Sequence, residues 1–185
     1  MFENIFSGNF RVGILGNGLS GRATSEWCER HGVEHMVFDQ GGGVEFTDKI
    51  AISFNLIVRS PSFLEDHPWV ILARRSKVVC IGELDLAAKF WKGGVVAVTG
   101  TNGKTTTVEF LKHSLCSIGR QAVAVGNIGF PFIGVVDDNI INATDSWAIV
   151  EVSSFQAQQL QIMRPNYLLW INFAPDHLDS HHSME

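Results

Sequence analysis

Twice in this chain a strand-sized apolar run ends in a glycine-bearing loop that opens into a helix. Arg11 to Gly16 leads into Gly16-Asn17-Gly18-Leu19-Ser20-Gly21, and Val95-Val96-Ala97-Val98-Thr99 leads into Gly100-Thr101-Asn102-Gly103-Lys104-Thr105-Thr106. A strand that feeds a tight loop and then a helix returns parallel to itself. Repeated, such units build a right-handed parallel α/β layer. The same geometry aims the first N–H groups of the helix beyond the strand end, where they suit an anion.

The second loop carries the stronger chemistry. Lys104 brings a positive charge for β- and γ-phosphates, and Thr105 offers a hydroxyl to Mg²⁺. The spacing departs from G-x-x-x-x-G-K-[ST], because Val98 stands where the first glycine would be. A glycine turn with a solvated lysine is the bland alternative. The first loop is a G-x-G-x-x-G, and Asp39 ends the next strand about twenty residues on, where a dinucleotide-binding acid would sit. Alone it suggests a nicotinamide or flavin dehydrogenase, or a plain tight turn. Two such loops in succession point instead to a phosphorylated ligand in the first unit and ATP in the second.

Alternation of apolar strands and helices runs through the whole chain. Strands are expected at Arg11–Gly16, Glu34–Asp39, Asn55–Arg59 and Lys77–Ile81, with helices at Leu19–His31, Pro68–Arg74 and Glu83–Trp91. Lys92-Gly93-Gly94 is the best boundary, giving domains over 1–91 and 92–185. The second holds strands near Val95–Thr99, Gln121–Val125, Trp147–Val152 and Tyr167–Asn172, and a helix from Thr105 to Ile118. The fold class is therefore α/β, a Rossmann-like parallel-sheet unit followed by a P-loop-type unit. With four strands by Glu185, the second unit is thin for a nucleotide-binding sheet, and a truncated protein is expected.

Of 185 residues, 45% are apolar and 18% charged, enough for a real core. A net charge of −5 without a long basic run argues against nucleic acid as the main partner. The apolar runs are strand-sized, so no membrane insertion is expected. Met1-Phe2-Glu3-Asn4 lacks the layout of a signal peptide. Cys28, Cys80 and Cys116 are scattered and odd in number, which reads as reduced, buried thiols in a cytosolic protein.

Three further segments follow strands. In Trp147-Ala148-Ile149-Val150-Glu151-Val152-Ser153-Ser154-Phe155-Gln156 an acid ends a buried run. Such a charge needs a partner or a metal, so Glu151 either binds Mg²⁺ beside the cradle or caps the next turn. Asn172-Phe173-Ala174-Pro175-Asp176-His177-Leu178-Asp179, with His181 and His182 after it, could hold a metal. For the last two histidines a plain surface loop is preferred. Asn127, in Gly126-Asn127-Ile128-Gly129, reads as a turn residue tolerant of the left-handed region, with a ligand contact as the minority reading.

Taken together, Thr99–Thr106, Gly126–Gly129, Glu151–Gln156 and Asp176–Asp179 resemble the motifs of the Mur ligases, ATP-dependent amide-bond enzymes of peptidoglycan precursor synthesis. Folylpolyglutamate synthetases share the cradle. The run Glu151-Val152-Ser153-Ser154-Phe155-Gln156 is similar to the E-L-S-S-F-Q of the D-glutamate-adding branch. The resemblance implies ligation of D-glutamate to UDP-N-acetylmuramoyl-L-alanine, with ATP and Mg²⁺, by a cytoplasmic monomer. It implies that Gly100, Thr101, Asn102, Gly103, Lys104, Thr105, Thr106 and Thr107 cradle ATP, with Lys104 and His177 catalytic. Thr105 and Glu151 would share one Mg²⁺, and His177 would bind a second. Leu19 and Ser20 would lie against the UDP diphosphate, Asp39 would reach the uracil, and Asn127 would touch the substrate. Ser62, Ala174 and the short segment between Asp39 and Ser60 depart from the family pattern. Further family elements are expected beyond Glu185, so this chain alone is expected to be inactive. A different ATP-dependent amide ligase and a non-catalytic nucleotide-binding remnant stay open.

Overall fold

The computed structural model describes residues 2–42 and 44–174. In the first half β1 (Arg11–Leu15), β2 (Glu34–Phe38), β3 (Leu56–Arg59) and β4 (Val79–Gly82) are interleaved with four helices. These are α1 (Leu19–Arg30), the single turn α2 (Asp48–Ala51), α3 (Pro68–Arg75) and α4 (Glu83–Phe90). In the second half β5 (Gly94–Thr99), α5 (Lys104–Ser117), β6 (Ala122–Gly126), β7 (Trp147–Glu151), α6 (Ser154–Gln159) and β8 (Tyr167–Trp170) follow. Two four-stranded sheets result, ordered β2-β1-β3-β4 and β6-β7-β5-β8. All their pairings are parallel, so the α/β class expected from the alternation is the one observed.

Successive residues of a strand face opposite ways, and here that alternation sorts the apolar side chains into three cores. Leu15, Ile57, Phe38, Phe46, Phe54 and Phe63 fill one face of the first sheet beneath α2 and α3. Val96, Val98 and Ile149 of the second sheet pack with Val108 of α5. Val12, Ile14, Leu56 and Val58 face the other way, as do Val95, Ala97, Ala148 and Val150. These two sets meet in one continuous core, with Trp27 of α1 and Leu86 of α4 between them. Burial at about 25 cal/mol per Å² makes this shared layer the main term joining the two halves.

Polar contacts fix the register of that seam. The Glu83 carboxylate, at the start of α4, accepts from Ile133 N at 2.6 Å. Asp85, fully buried two residues on, accepts from the N–H groups of Gln161, Ile162 and Met163 at 2.8, 3.0 and 2.8 Å. Asn142 receives Lys92 N and donates to Phe90 O and Val136 O. At the rim Asp137 pairs with Arg30 and His31.

Three expectations need correction. Lys77 does not open β4: it sits at φ 56, in the left-handed region, and the strand starts at Val79. Cys28 is buried, but Cys80 is only partly so and Cys116 is exposed. Asn127 is not left-handed, because Lys77 is the only non-glycine residue with positive φ among the described residues. Its side chain is committed elsewhere, as shown below.

Candidate phosphate-binding site

Both glycine loops sit at carboxyl ends of parallel strands, where α/β proteins gather ligands. In the second loop Gly100 and Gly103 have φ of 143 and 83, values that L side chains rarely adopt. Gly103 is the N-cap of α5 and has no side chain to occupy the helix N-terminus. The first N–H groups of α5 have no intrahelical partner and no side-chain cap, a geometry that suits an anion. Lys104 curls over the loop and donates to Gly100 O at 2.7 Å and Thr101 O at 2.9 Å. Thr107 closes the first helical turn by donating its hydroxyl to Gly103 O at 2.9 Å. Thr106 lies exposed on the same turn.

Glu151 is the hub of this site. It is the last residue of β7, 3% exposed, and stands in register with Val98 and Gly126 of the flanking strands. One carboxylate oxygen accepts from Thr105 Oγ1 at 2.8 Å and the other from Asn127 Nδ2 at 3.0 Å. Asn127 also donates its backbone N–H to Glu151 O at 2.9 Å. Gly126, at φ 105, lets the two strand ends close on each other, because a Cβ there would overlap Glu151 O. Lys104, Thr105, Asn127 and Glu151, scattered over 48 positions of the sequence, thus belong to one cluster. Glu151 does not cap the following helix. Ser153 does, in a reciprocal capping box with Gln156.

Mg²⁺ takes hard oxygen ligands and usually needs only one or two from protein, the rest coming from phosphates and water. The facing hydroxyl of Thr105 and carboxylate of Glu151 are such a donor pair. No group of three or more His, Cys, Asp or Glu arranged for a metal occurs among the described residues. His177, expected at a second metal, lies outside the described residues, as do Asp176, His181 and His182.

A residue given no role at first supports the cradle. Asn172, just past β8, accepts from Asn102 N at 3.0 Å and returns its Nδ2–H to Asn102 O at 2.8 Å. Thr101 Oγ1 donates to Ala174 O at 3.1 Å and accepts Ala174 N–H at 3.0 Å. The sequence signal was a polar side chain directly after a strand that also borders the loop.

In the first loop packing dominates. A Cβ on Gly21 would overlap the Gly16 carbonyl oxygen, and one on Gly16 would lie 2.7 Å from Ser60 Oγ. Leu19, 76% exposed, and the half-buried Ser20 form the first turn of α1. Asp39 follows β2 directly and is exposed. Beside them Arg59, 1% exposed, donates to Phe63 O at 2.9 Å and pairs with Glu65. Burial pushes this guanidinium below its ordinary range, with Cys80 and Asp85 opposing. At the seam, burial lifts Glu83 to about 7, against the N–H groups of Ile133 and Phe132.

Sequence comparison places this geometry in a class. Residues 98–185 match the Mur ligase middle domain, and this part of the chain belongs to the Mur ligase family. Its curated relatives are UDP-N-acetylmuramoylalanine–D-glutamate ligases. That of Acidobacterium capsulatum is 36% identical over 194 residues, which cover 95% of this chain and 41% of the relative. That of Aquifex aeolicus is 36% identical over 173 residues, covering 93% and 40%. The chain thus spans about two fifths of the length of these relatives. In fold it resembles the UDP-N-acetylmuramate:L-alanyl-gamma-D-glutamyl-meso-diaminopimelate ligase of Neisseria meningitides. The TM-score is 0.55 at 17% identity, over 92% of this chain and 62% of that one. No helix among the described residues is long and apolar enough to cross a membrane.

Proposed function

We propose that these residues are the UDP-substrate and ATP-binding portion of a cytoplasmic, monomeric ligase that joins D-glutamate to UDP-N-acetylmuramoyl-L-alanine. The division is 1–91 for the UDP-sugar and 92–185 for ATP. The observation that carries the reading is the cluster at the head of α5, where Thr105 and Asn127 share the buried Glu151 carboxylate beside Lys104. The names of the relatives supply the substrates.

In the reaction, the alanyl carboxylate of the UDP-sugar attacks the γ-phosphorus of ATP, giving an acyl phosphate and ADP. The D-glutamate amine then attacks the acyl carbon, and phosphate leaves as the amide forms. Such phosphoryl transfer needs positioning and charge compensation more than covalent help. Lys104 exchanges two carbonyl partners for phosphate oxygens, and the α5 N–H groups hold the same anion. Thr105 and Glu151 would hold Mg²⁺, which offsets charge on the transferred group when bound. Asn127 keeps the Glu151 carboxylate turned toward Thr105 and lies at the substrate side. Leu19, Ser20 and Asp39 line the UDP side, where α1 presents its N-terminus to the diphosphate.

The test has two arms. Titration calorimetry on the 185-residue chain should show one site for Mg-ATP and one for UDP-N-acetylmuramoyl-L-alanine. A preference for NAD or NADP over the UDP-sugar would overturn the reading of the first loop. For ligation, a chimera completed with the rest of the Acidobacterium capsulatum relative should release phosphate only with both substrates present, whereas this chain alone should release none. Release without dependence on D-glutamate would overturn the ligase reading.

A further inference from the structure

The helix that follows Glu151 reaches across the seam and touches the first substrate loop. Gln159, the last residue of α6, is 3% exposed. Its Nε2 donates to Pro61 O at 3.0 Å and lies 3.4 Å from Phe63 O and 3.5 Å from Ser60 O. Three carbonyl oxygens converging on one point repel one another unless a donor sits between them. They also fix which end of the amide is nitrogen. The segment they belong to runs directly along the first glycine loop. Ser60 N donates to Leu15 O at 2.9 Å, the last residue before Gly16. Ser60 Oγ and the Phe63 ring are what a Cβ on Gly16 would strike, at 2.7 and 2.9 Å. The path is continuous, from α6 through Ser60–Phe63 to Gly16 and the N-terminus of α1.

We infer that Gln159 is a positioning residue for the UDP-sugar: its amide gathers the Ser60, Pro61 and Phe63 carbonyls and thereby sets the wall of the first glycine loop. The inference rests on the reading of that loop as the UDP-sugar site. Arg59 secures the Phe63 carbonyl from within the first sheet, but Gln159 alone does so from the ATP half among the described residues. The two ends of one short segment, Glu151 and Gln159, therefore serve different ligands. Nucleotide chemistry and sugar binding share one rigid lever, with Ser153 and Gln156 stiffening its start through their capping box. Gly82 leaves room for the lever, since a Cβ there would sit 3.3 Å from Gln159 Oε1.

The experiment compares affinities for UDP-N-acetylmuramoyl-L-alanine and Mg-ATP, by calorimetry on the 185-residue chain and three variants. Gln159→Leu removes the donor while keeping side-chain bulk. It should weaken the UDP-sugar roughly tenfold, the worth of one buried hydrogen bond, and leave Mg-ATP within about twofold. Gly82→Ala, which presses on the amide without removing it, should weaken the UDP-sugar by a smaller factor and serves if Gln159→Leu does not fold. Asp137→Ala cuts the ion pairs to Arg30 and His31 elsewhere on the seam. It should lower the melting temperature and change neither affinity. Unchanged UDP-sugar binding in folded Gln159→Leu and Gly82→Ala would overturn the inference. So would equal losses for both ligands, which mark a merely structural contact. A wild-type chain that binds NAD in place of the UDP-sugar would instead remove the reading of the loop, and the inference with it.

Discussion

The two glycine loops occupy equivalent places in their sheets but are held by different forces. In the first, glycine is required by crowding: Gly21 abuts the Gly16 carbonyl, and Gly16 abuts Ser60 and Phe63. In the second, Gly103 is required by backbone angle, whereas Gly100 adds to its φ of 143 a close approach to Ile171 Cγ1, 2.7 Å from where a Cβ would sit. A Cβ on Gly103 would meet only Ile171 Cδ1, at an ordinary 3.5 Å. Its neighbours carry the charge, with Lys104 over the loop and Glu151 beneath it. A loop shaped by contact tolerates little change in volume but fits several phosphorylated ligands. A loop shaped by charge tolerates volume better and declares its chemistry. That is why one G-x-G-x-x-G left a dinucleotide, a UDP-sugar and a plain tight turn open, whereas the lysine loop left only phosphate binding and a plain glycine turn.

The sharpest way to break this contrast is Gly21→Ala. With backbone in the way of the new methyl, α1 must move off β1, and a loss of about 4 kcal/mol or more is expected. Chemical denaturation measures it, and a loss under about 1 kcal/mol would show that crowding does not define the first loop. Lys104→Ala probes the other side. The fold should persist, while Mg-ATP binding weakens by about 1.5–3 kcal/mol, one charge-assisted contact. Normal ATP affinity in calorimetry would strip the second loop of its electrostatic role.

The seam that keeps the two loops in one frame gives a pH-dependent test. Glu83 is lifted from an ordinary 4.5 to about 7 by burial. Below pH 4.5 it is protonated in folded and unfolded chains alike, and its contribution is whole. As pH rises the unfolded chain releases this proton first, so stability falls until about pH 7. The total is on the order of 3 kcal/mol. Glu83→Gln keeps an oxygen for Ile133 N without the ionisation. The wild-type-minus-variant stability should decline from pH 4.5 to 7 and then level off. A flat difference would mean that Glu83 is not buried as described. The smallest effect is expected from Gly103→Ala, about 1–2 kcal/mol for holding alanine left-handed. An effect matching Gly21→Ala would erase the distinction between the loops.

What could be read from sequence was whatever is local. The strands announced themselves because apolar residues of β1, β3, β5 and β7 are buried on both faces. Glu151 stood out because an acid at the end of such a run needs a partner. Helix α6 was hidden inside a run read only as a motif, although Ser153-x-x-Gln156 is itself a helix-start signature. Partners distant in sequence were out of reach. Asn127 was read as a turn residue because Glu151, which it binds, is 24 residues away. Asn172 received no role because Asn102 is 70 residues away. Glu83 and Asp85 resemble ordinary first-turn acids of a helix, and nothing beside them foretells their burial.

Those two acids bear on how the chain is made. The first sheet is complete once Gly82 has emerged, and α4 follows at once. Yet the backbone groups that Asp85 receives lie 76–78 residues further on. At about 5–20 residues per second, the ribosome takes roughly 4–16 s to supply them. Through that interval α4 is a helix with one apolar flank uncovered and two carboxylates still in water. When residues 161–163 arrive, the same carboxylates become the anchor of the seam. Asp85 can thus act as the clasp of the seam only after residues 161–163 have been made.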